Sequence, residues 1–267
     1  MIPAPMIAST YHVPKDYDLY ALIGYPLGHS FSATYFSQFF AEHGIRARYQ
    51  AFELREASLM LELIQAHPRL RGINVTSPHK QAVLPLLDEL TPLGQRVGAV
   101  NAIRVERRVG GEARLVGHNT DVEGFVDSLK SRLSTLAPEA EALILGTGGA
   151  ARAVALGLEM LGIRYRYVSR EPQTEEVLAY TDLKGEDLAD RYHLIINATP
   201  VGMPPRQEEL PPLSLEGIGE QHLCYDLIYN PSPTRWLSAV SERGARAMDG
   251  LEMLYLQAEA AWHFWQG

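Results

Sequence analysis

The chain has 267 residues, of which 46% are hydrophobic and 21% charged, and it carries a formal net charge of −8. This composition excludes disordered and fibrous classes, and the acidic balance argues against the basic face that a nucleic acid requires. No apolar run approaches the roughly 18 residues needed to cross a bilayer, and the length suits two domains of about 100 to 150 residues each.

Met1 to Lys15 has prolines at 3, 5 and 14 and no cationic start before an apolar core, so it does not read as a signal peptide. From there short apolar strands alternate with helical stretches, which predicts an α/β fold of mostly parallel sheets with helices on both faces. Strands are expected near 19–24, 48–54 and 71–76, and helices near 31–43, 56–66 and 79–88.

The first strand runs into Gly24-Tyr25-Pro26-Leu27-Gly28-His29-Ser30-Phe31-Ser32. Ser30 and Ser32, with the free amides of a helix start, can hold a carboxylate without a cationic side chain; the alternative is that Ser30 only caps the helix. The third strand leads into Asn74-Val75-Thr76-Ser77-Pro78-His79-Lys80, where Ser77 reads as an N-cap and Pro78 as the first helical residue. Lys80 then falls in the first turn, where a cation is disfavoured by about 0.3–1 kcal/mol. That placement suits a lysine that gives and takes a proton, although a surface lysine whose stem carries its charge to water fits the same segment.

Two β-type runs, 99–106 and 113–118, flank Arg107-Arg108-Val109-Gly110-Gly111 and read as a hairpin. Asn119-Thr120-Asp121 opens a helix near 121–132; Asp121 either caps it or faces Lys80 in a cleft where the two halves join. A connector through 134–139 leads to a strand near 142–146 and then to Gly146-Thr147-Gly148-Gly149-Ala150-Ala151, which opens a helix near 149–161. Gly146 permits a tight turn, Gly148 lets the backbone approach a pyrophosphate, and small Ala151 lets the helix lie close on its strand. The expected ligand is a dinucleotide, and a tight turn holding nothing is the alternative.

The next strand, near 164–169, ends in Ser169-Arg170-Glu171. An acidic residue at that point bonds the ribose 2′-hydroxyl of NAD, whereas an arginine meets the 2′-phosphate of NADP. Arg170 therefore favours NADP, Glu171 opposes that preference, and an exposed Arg170 with no ligand is the remaining reading. Strands near 193–197 and 223–228 and helices near 233–243 and 250–266 complete the pattern, with 208–215 as a loop. The lone cysteine, Cys224, lies between Leu223 and Tyr225 and reads as core in a reducing cytoplasm. The nine histidines show no ligand spacing, so no metal is expected. Ser30, Ser32 and Thr76 lack a base partner or a nucleophile-elbow setting, so nucleophilic hydrolysis is not indicated.

Taken together, the runs 24–32, 74–80, 98–101, 119–121, 146–151, 197–203, 225–229 and 249–254 resemble the shikimate dehydrogenase family, from about Tyr20 to the C-terminus. The resemblance implies a substrate-binding domain of residues 1–120 plus 250–267 and a Rossmann-like NADP-binding domain of residues 121–249. It implies reduction of 3-dehydroshikimate to shikimate with NADPH, with Lys80 shuttling the proton and Asp121 orienting substrate and lysine. Ser30 and Ser32 would bind the substrate carboxylate, while Thr76, Asn101, Asp121, Tyr229 and Gln257 would fix the ring hydroxyls. Gly146, Thr147, Gly148, Gly149, Ala150, Ser169, Arg170, Leu227 and Gly250 would line the cofactor. The family often has Asn-Arg-Thr and a second basic residue where this chain has Ser169-Arg170-Glu171-Pro172-Gln173. A monomer or homodimer with small-molecule partners is expected. Use of quinate with NAD, or a non-catalytic metabolite sensor on the same fold, are the rival functions.

Overall fold

Alternate residues of the first strand face opposite ways, and both faces are apolar: Leu19, Ala21 and Ile23 enter one core while Tyr20 enters an aromatic cluster on the other side. A strand buried on both faces belongs in the middle of a sheet. The computed structural model describes residues 14, 16–27, 31–108, 112–136, 140–183 and 185–267. They divide into two compact units, one of residues up to Thr120 together with Ala261–Gly267, the other Asp121–Ala260.

The first unit contains β1 (Asp18–Gly24), α1 (Phe31–Glu42), β2 (Ala47–Glu53), α2 (Leu59–Ala66), β3 (Leu70–Val75), α3 (His79–Ala82), β4 (Glu89–Leu90), α4 (Pro92–Val97), β5 (Ala102–Arg107) and β6 (Ala113–His118). Its sheet runs β2-β1-β3-β5-β6-β4. The β2, β1 and β3 strands are parallel, while β5 is antiparallel to both β3 and β6, so the hairpin expected around residue 110 is present. Its Gly110-Gly111 turn lies outside the described residues. One face of the sheet packs on Met60, Leu63 and Ile64 of α2. On the other face Tyr20, Phe36 and Phe40 meet Trp262 and Trp265 from the C-terminal segment. Gly72 makes that possible, because a Cβ there would stand 2.5 Å from the Trp265 ring.

The second unit contains α5 (Thr120–Lys130, beginning on the last residue of the first), β7 (Ala142–Leu145), α6 (Gly149–Met160), β8 (Tyr165–Ser169), β9 (Val177–Ala179), α7 (Gly185–Asp190), β10 (Leu194–Asn197), β11 (Leu223–Asp226), α8 (Arg235–Ser241), β12 (Arg246–Met248) and α9 (Leu251–Gln266, whose last residues belong to the first unit). Its sheet is parallel throughout, in the order β9-β8-β7-β10-β11-β12. Counted from β7 this is the 3-2-1-4-5-6 order of a dinucleotide-binding Rossmann sheet. Every residue of β7, β10 and β11 is buried, as central strands covered on both faces require. Trp236, Leu237 and Val240 of α8 fill one face, and Phe125 of α5 stacks on Tyr225 on the other. Gly157 lets α6 come close to α5, since its Cβ would lie 2.5 Å from the Phe125 ring.

Some local expectations are corrected. The helix read over 79–88 is a four-residue α3 followed by a 3-10 turn at Leu84–Leu86, because Pro85 has no amide to continue the ladder. The helix read from 56 begins at Leu59. The elements β4, α4, β9, α7 and β12 were not foreseen; each has six residues or fewer, too short to show a period.

Candidate functional site

In an open α/β sheet, ligands bind outside the carboxyl ends of the strands where the strand order reverses, which in the first unit is between β1 and β3. The loops following those two strands are laced together. The amide of Thr76 donates to Ile23 O at 2.9 Å and that of Tyr25 to Ser77 O at 3.0 Å. Gly24 is needed at this crossing, because any Cβ would overlap the Thr76 side chain and press to 3.1 Å on Ser77 O. Thr76 and Lys80 thus leave the sheet at its switch point, and Ser32 stands in the first turn of α1 beside the same edge. Ser30 lies outside the described residues.

Lys80 is held by its backbone: its carbonyl accepts from Val100 N at 2.7 Å, and His79 is buried with Nε2 2.6 Å from Leu54 O. The capping expectation is corrected here. The N-cap of α3 is Pro78 rather than Ser77, it makes no side-chain cap bond, and α3 is a single turn, so the helix-dipole argument for Lys80 does not hold. What distinguishes Lys80 is its tether to the 98–101 run.

Asn101 is the knot of this edge. Its amide donates to His118 O at 3.1 Å, and its carbonyl accepts from Val75 N at 2.8 Å and Asn74 Nδ2 at 3.2 Å. Its side chain accepts from Thr120 N at 2.8 Å and donates to Thr120 Oγ1 at 3.0 Å. Asn101 therefore sets where α5 begins, one residue ahead of Asp121, which lies in the first turn rather than at the cap. Tyr49 was not singled out from sequence, yet its buried hydroxyl donates to Oδ1 of Asn74, the first residue of the 74–80 run, at 2.7 Å, beside Ser32. Burial pushes that phenol far above the usual tyrosine range, so it remains a donor.

The second unit has its own switch point, between β7 and β10. Gly146 adopts φ +103°, and a Cβ there would be 3.0 Å from Thr199 Cγ2 at the end of β10. Its amide donates to Val168 O at 2.8 Å, which carries the pairing with β8 one residue past Leu145 before the chain turns. Gly148 is the N-cap of α6, and nothing lies within 4 Å of where its Cβ would be. Thr147 and Gly148 are exposed, so the first turn of α6, where helix amides have no partner within the helix, begins at open space that a pyrophosphate can fill. Fully buried Ala151 packs α6 onto the sheet.

At the end of β8, Ser169 Oγ accepts from Glu171 N at 3.2 Å, which shapes the turn carrying exposed Arg170. The Arg170 charge acts on Tyr180, whose phenol burial pushes up to about 12. Leu227 N donates to Asn197 O at 3.0 Å, and Gly250 packs directly against the Leu227 carbonyl. Tyr229 is half-buried, which raises its phenol above the ordinary range. Gln257 Nε2 donates to Leu254 O at 3.0 Å, on the part of α9 that Gly124 allows α5 to approach. The first unit thus gathers Ser32, Thr76, Lys80 and Asn101. The second holds Asp121, Tyr229 and Gln257 with Gly146, Thr147, Gly148, Gly149, Ala150, Ser169, Arg170, Leu227 and Gly250. Among the described residues no cluster of three or more metal-ligating side chains occurs, and no helix is long and apolar enough to cross a membrane.

Residues 22–103 match the family model of the shikimate dehydrogenase substrate binding domain. Over 262 residues the chain is 36% identical to shikimate dehydrogenase (NADP(+)) of Geobacillus sp. (strain WCH70), covering 93% of this chain and 92% of that protein. Among solved structures, shikimate 5-dehydrogenase of Thermus thermophilus in complex with NADP(H) and shikimate superposes with a TM-score of 0.80 at 33% identity, covering 94% of each chain. Quinate dehydrogenase of Corynebacterium glutamicum in complex with NAD superposes at 0.79 with 25% identity, again over 94% of each.

Proposed function

The chain belongs to the shikimate dehydrogenase family, and on that premise we infer that it reversibly reduces 3-dehydroshikimate to shikimate with NADPH, using Lys80 and Asp121 as its catalytic pair. The glycine turn, Gly146 to Ala150, would hold NADPH, which would supply the hydride. Lys80 donates a proton to the carbonyl oxygen as hydride adds to the carbon, so that C=O becomes CH–OH; in the reverse direction it takes that proton back. Asp121 orients the substrate and the lysine. Ser30 and Ser32 bind the substrate carboxylate, and Thr76, Asn101, Tyr229 and Gln257 take the ring hydroxyls. The unit of residues up to Thr120 with Ala261–Gly267 serves as the substrate domain and Asp121–Ala260 as the NADP domain, which moves 250–260 out of the substrate domain expected from sequence. The enzyme works in the cytoplasm as a monomer or homodimer.

The observation that carries this reading is the bond from Val100 N to Lys80 O together with the Asn101–Thr120 pair. These fix the lysine's backbone and the residue preceding Asp121 to one short segment.

The cofactor is NADP, and Arg170 is the residue assigned to its 2′-phosphate. Arg170→Ala is expected to lower kcat/KM for NADP about tenfold or more while changing that for NAD by less than about threefold. Steady-state rates with shikimate and each nucleotide give the comparison, and equal losses with both would remove Arg170 from the phosphate site. Quinate with NAD is the competing pair, favoured by the exposed Glu171 next to Arg170.

A further inference from the structure

We propose that Asp226 is a positioning residue for the cofactor: its buried carboxylate ties the loop after β10 to the loop after β11 and so holds Leu227 where NADP binds. The proposal rests on the NADP reading of the second unit. Asp226 is the last residue of β11, paired across the sheet with Asn197, the last residue of β10, and neither is exposed. Its Oδ1 accepts from Asn197 Nδ2 at 3.0 Å and from Ile228 N at 3.1 Å, and its Oδ2 accepts from Thr234 Oγ1 at 2.7 Å. The three donors come from three segments: the end of β10, the strip carrying Leu227 and Tyr229, and the N-cap of α8.

The network continues through Asn197. Its Oδ1 accepts from Thr199 N at 3.1 Å and Thr199 Oγ1 at 2.6 Å, and its Nδ2 also donates to Val201 O at 3.1 Å. Thr199 is the residue whose methyl walls Gly146. One carboxylate therefore links the wall of the glycine turn to the Leu227–Gly250 contact, although it reaches neither itself. A buried charge is costly, and one whose every partner lies at the cofactor edge is spent on geometry there. Burial pushes the carboxyl up to about 6 against its three hydrogen bonds, and the charge of Asp249, which follows β12, adds to the push. Asp249 is itself engaged by Ser232 Oγ and Leu251 N. When Asp226 is protonated, Oδ2 must offer its proton to Thr234 Oγ1, and the threonine hydroxyl loses its acceptor. NADP affinity is therefore expected to fall as pH drops through that range.

The test is calorimetric titration of NADP into wild-type, Asp226→Asn, Thr234→Val and Thr234→Ser proteins across pH, alongside the KM for shikimate. Asp226→Asn, which fixes an uncharged group at the site, is expected to weaken NADP about tenfold near neutral pH and to reduce the acid loss of affinity to the part that protonation of the nucleotide's own 2′-phosphate contributes. The KM for shikimate should stay within about twofold. Thr234→Val should weaken NADP similarly and Thr234→Ser should restore it, which keeps the test decisive if Asp226→Asn does not fold. A folded Asp226→Asn with wild-type NADP affinity and pH dependence overturns the proposal, as does a folded Thr234→Val that binds NADP normally. Equal weakening of NADP and shikimate reduces the carboxylate to a general structural role and also overturns it. Wild-type protein that binds no NADP overturns the cofactor reading itself, and this proposal with it.

Discussion

Lys80→Ala is expected to lower kcat by about two to four orders of magnitude, the range that a positioned general acid contributes, while the KM for shikimate rises much less. In the proposed mechanism the side chain provides the proton for the developing alkoxide and only one of several contacts to the substrate. Its loss therefore falls on the transition state rather than on ground-state binding. The backbone should be little disturbed, because the bond from Val100 N to the residue-80 carbonyl survives any side-chain change. Steady-state kinetics on protein with an unchanged circular dichroism spectrum gives the answer. Near-normal turnover would remove Lys80 from the proton path.

Gly250→Ala is the second large effect, and it acts on stability and on cofactor together. A Cβ at 250 would stand 2.5 Å from the Leu227 carbonyl carbon and overlap its oxygen, and both neighbours are backbone. Nothing flexible can give way. Gly250 is also tied on both sides, its amide donating to Ile228 O at 3.1 Å and its carbonyl accepting from Leu254 N at 2.9 Å in the first turn of α9. Relieving the overlap must move either the strip after β11 or the start of α9, at a cost of about 1–3 kcal/mol. Since Leu227 is assigned to the cofactor, NADP affinity should fall about tenfold or more in whatever folds. Denaturant unfolding and NADP titration measure the two effects, and a variant as stable and as tight as wild type would show that the packing here is looser than the geometry states.

The two positions illustrate what could be read before the fold was in view. The switch from the apolar run 142–145 to the helical pattern after Gly149 is strong, because the period changes from buried strand to helix across three glycines. Both Gly146, with its positive φ, and Gly148, with its open surroundings, take the conformations that turn requires. The first-unit strands were legible for the same reason. The helix expected over 79–88 is the exception: Pro85 stops it after the single turn of α3, too short for a helix dipole to act on Lys80. The α4 helix did carry signals, with Thr91 accepting from Gly94 N, Pro92 at the first position and Gly98 left-handed at the end, but six residues show no period. Gly250 stood in a recognised run, yet its reason for being glycine lies 23 residues back at Leu227. The Asp226 network is the least legible part. Its partners are 29 residues before it, two after and eight after, and an aspartate ending a strand has no local signature that separates it from any other.

The central claim is that this chain moves hydride between shikimate and NADP. The most direct measurement mixes the purified protein with shikimate and NADP and follows nicotinamide absorbance, with 3-dehydroshikimate identified as the product. Steady formation of NADPH, matched one for one by 3-dehydroshikimate, is the predicted result. No reduction of NADP by shikimate, from protein that is folded and binds the nucleotide, would contradict it.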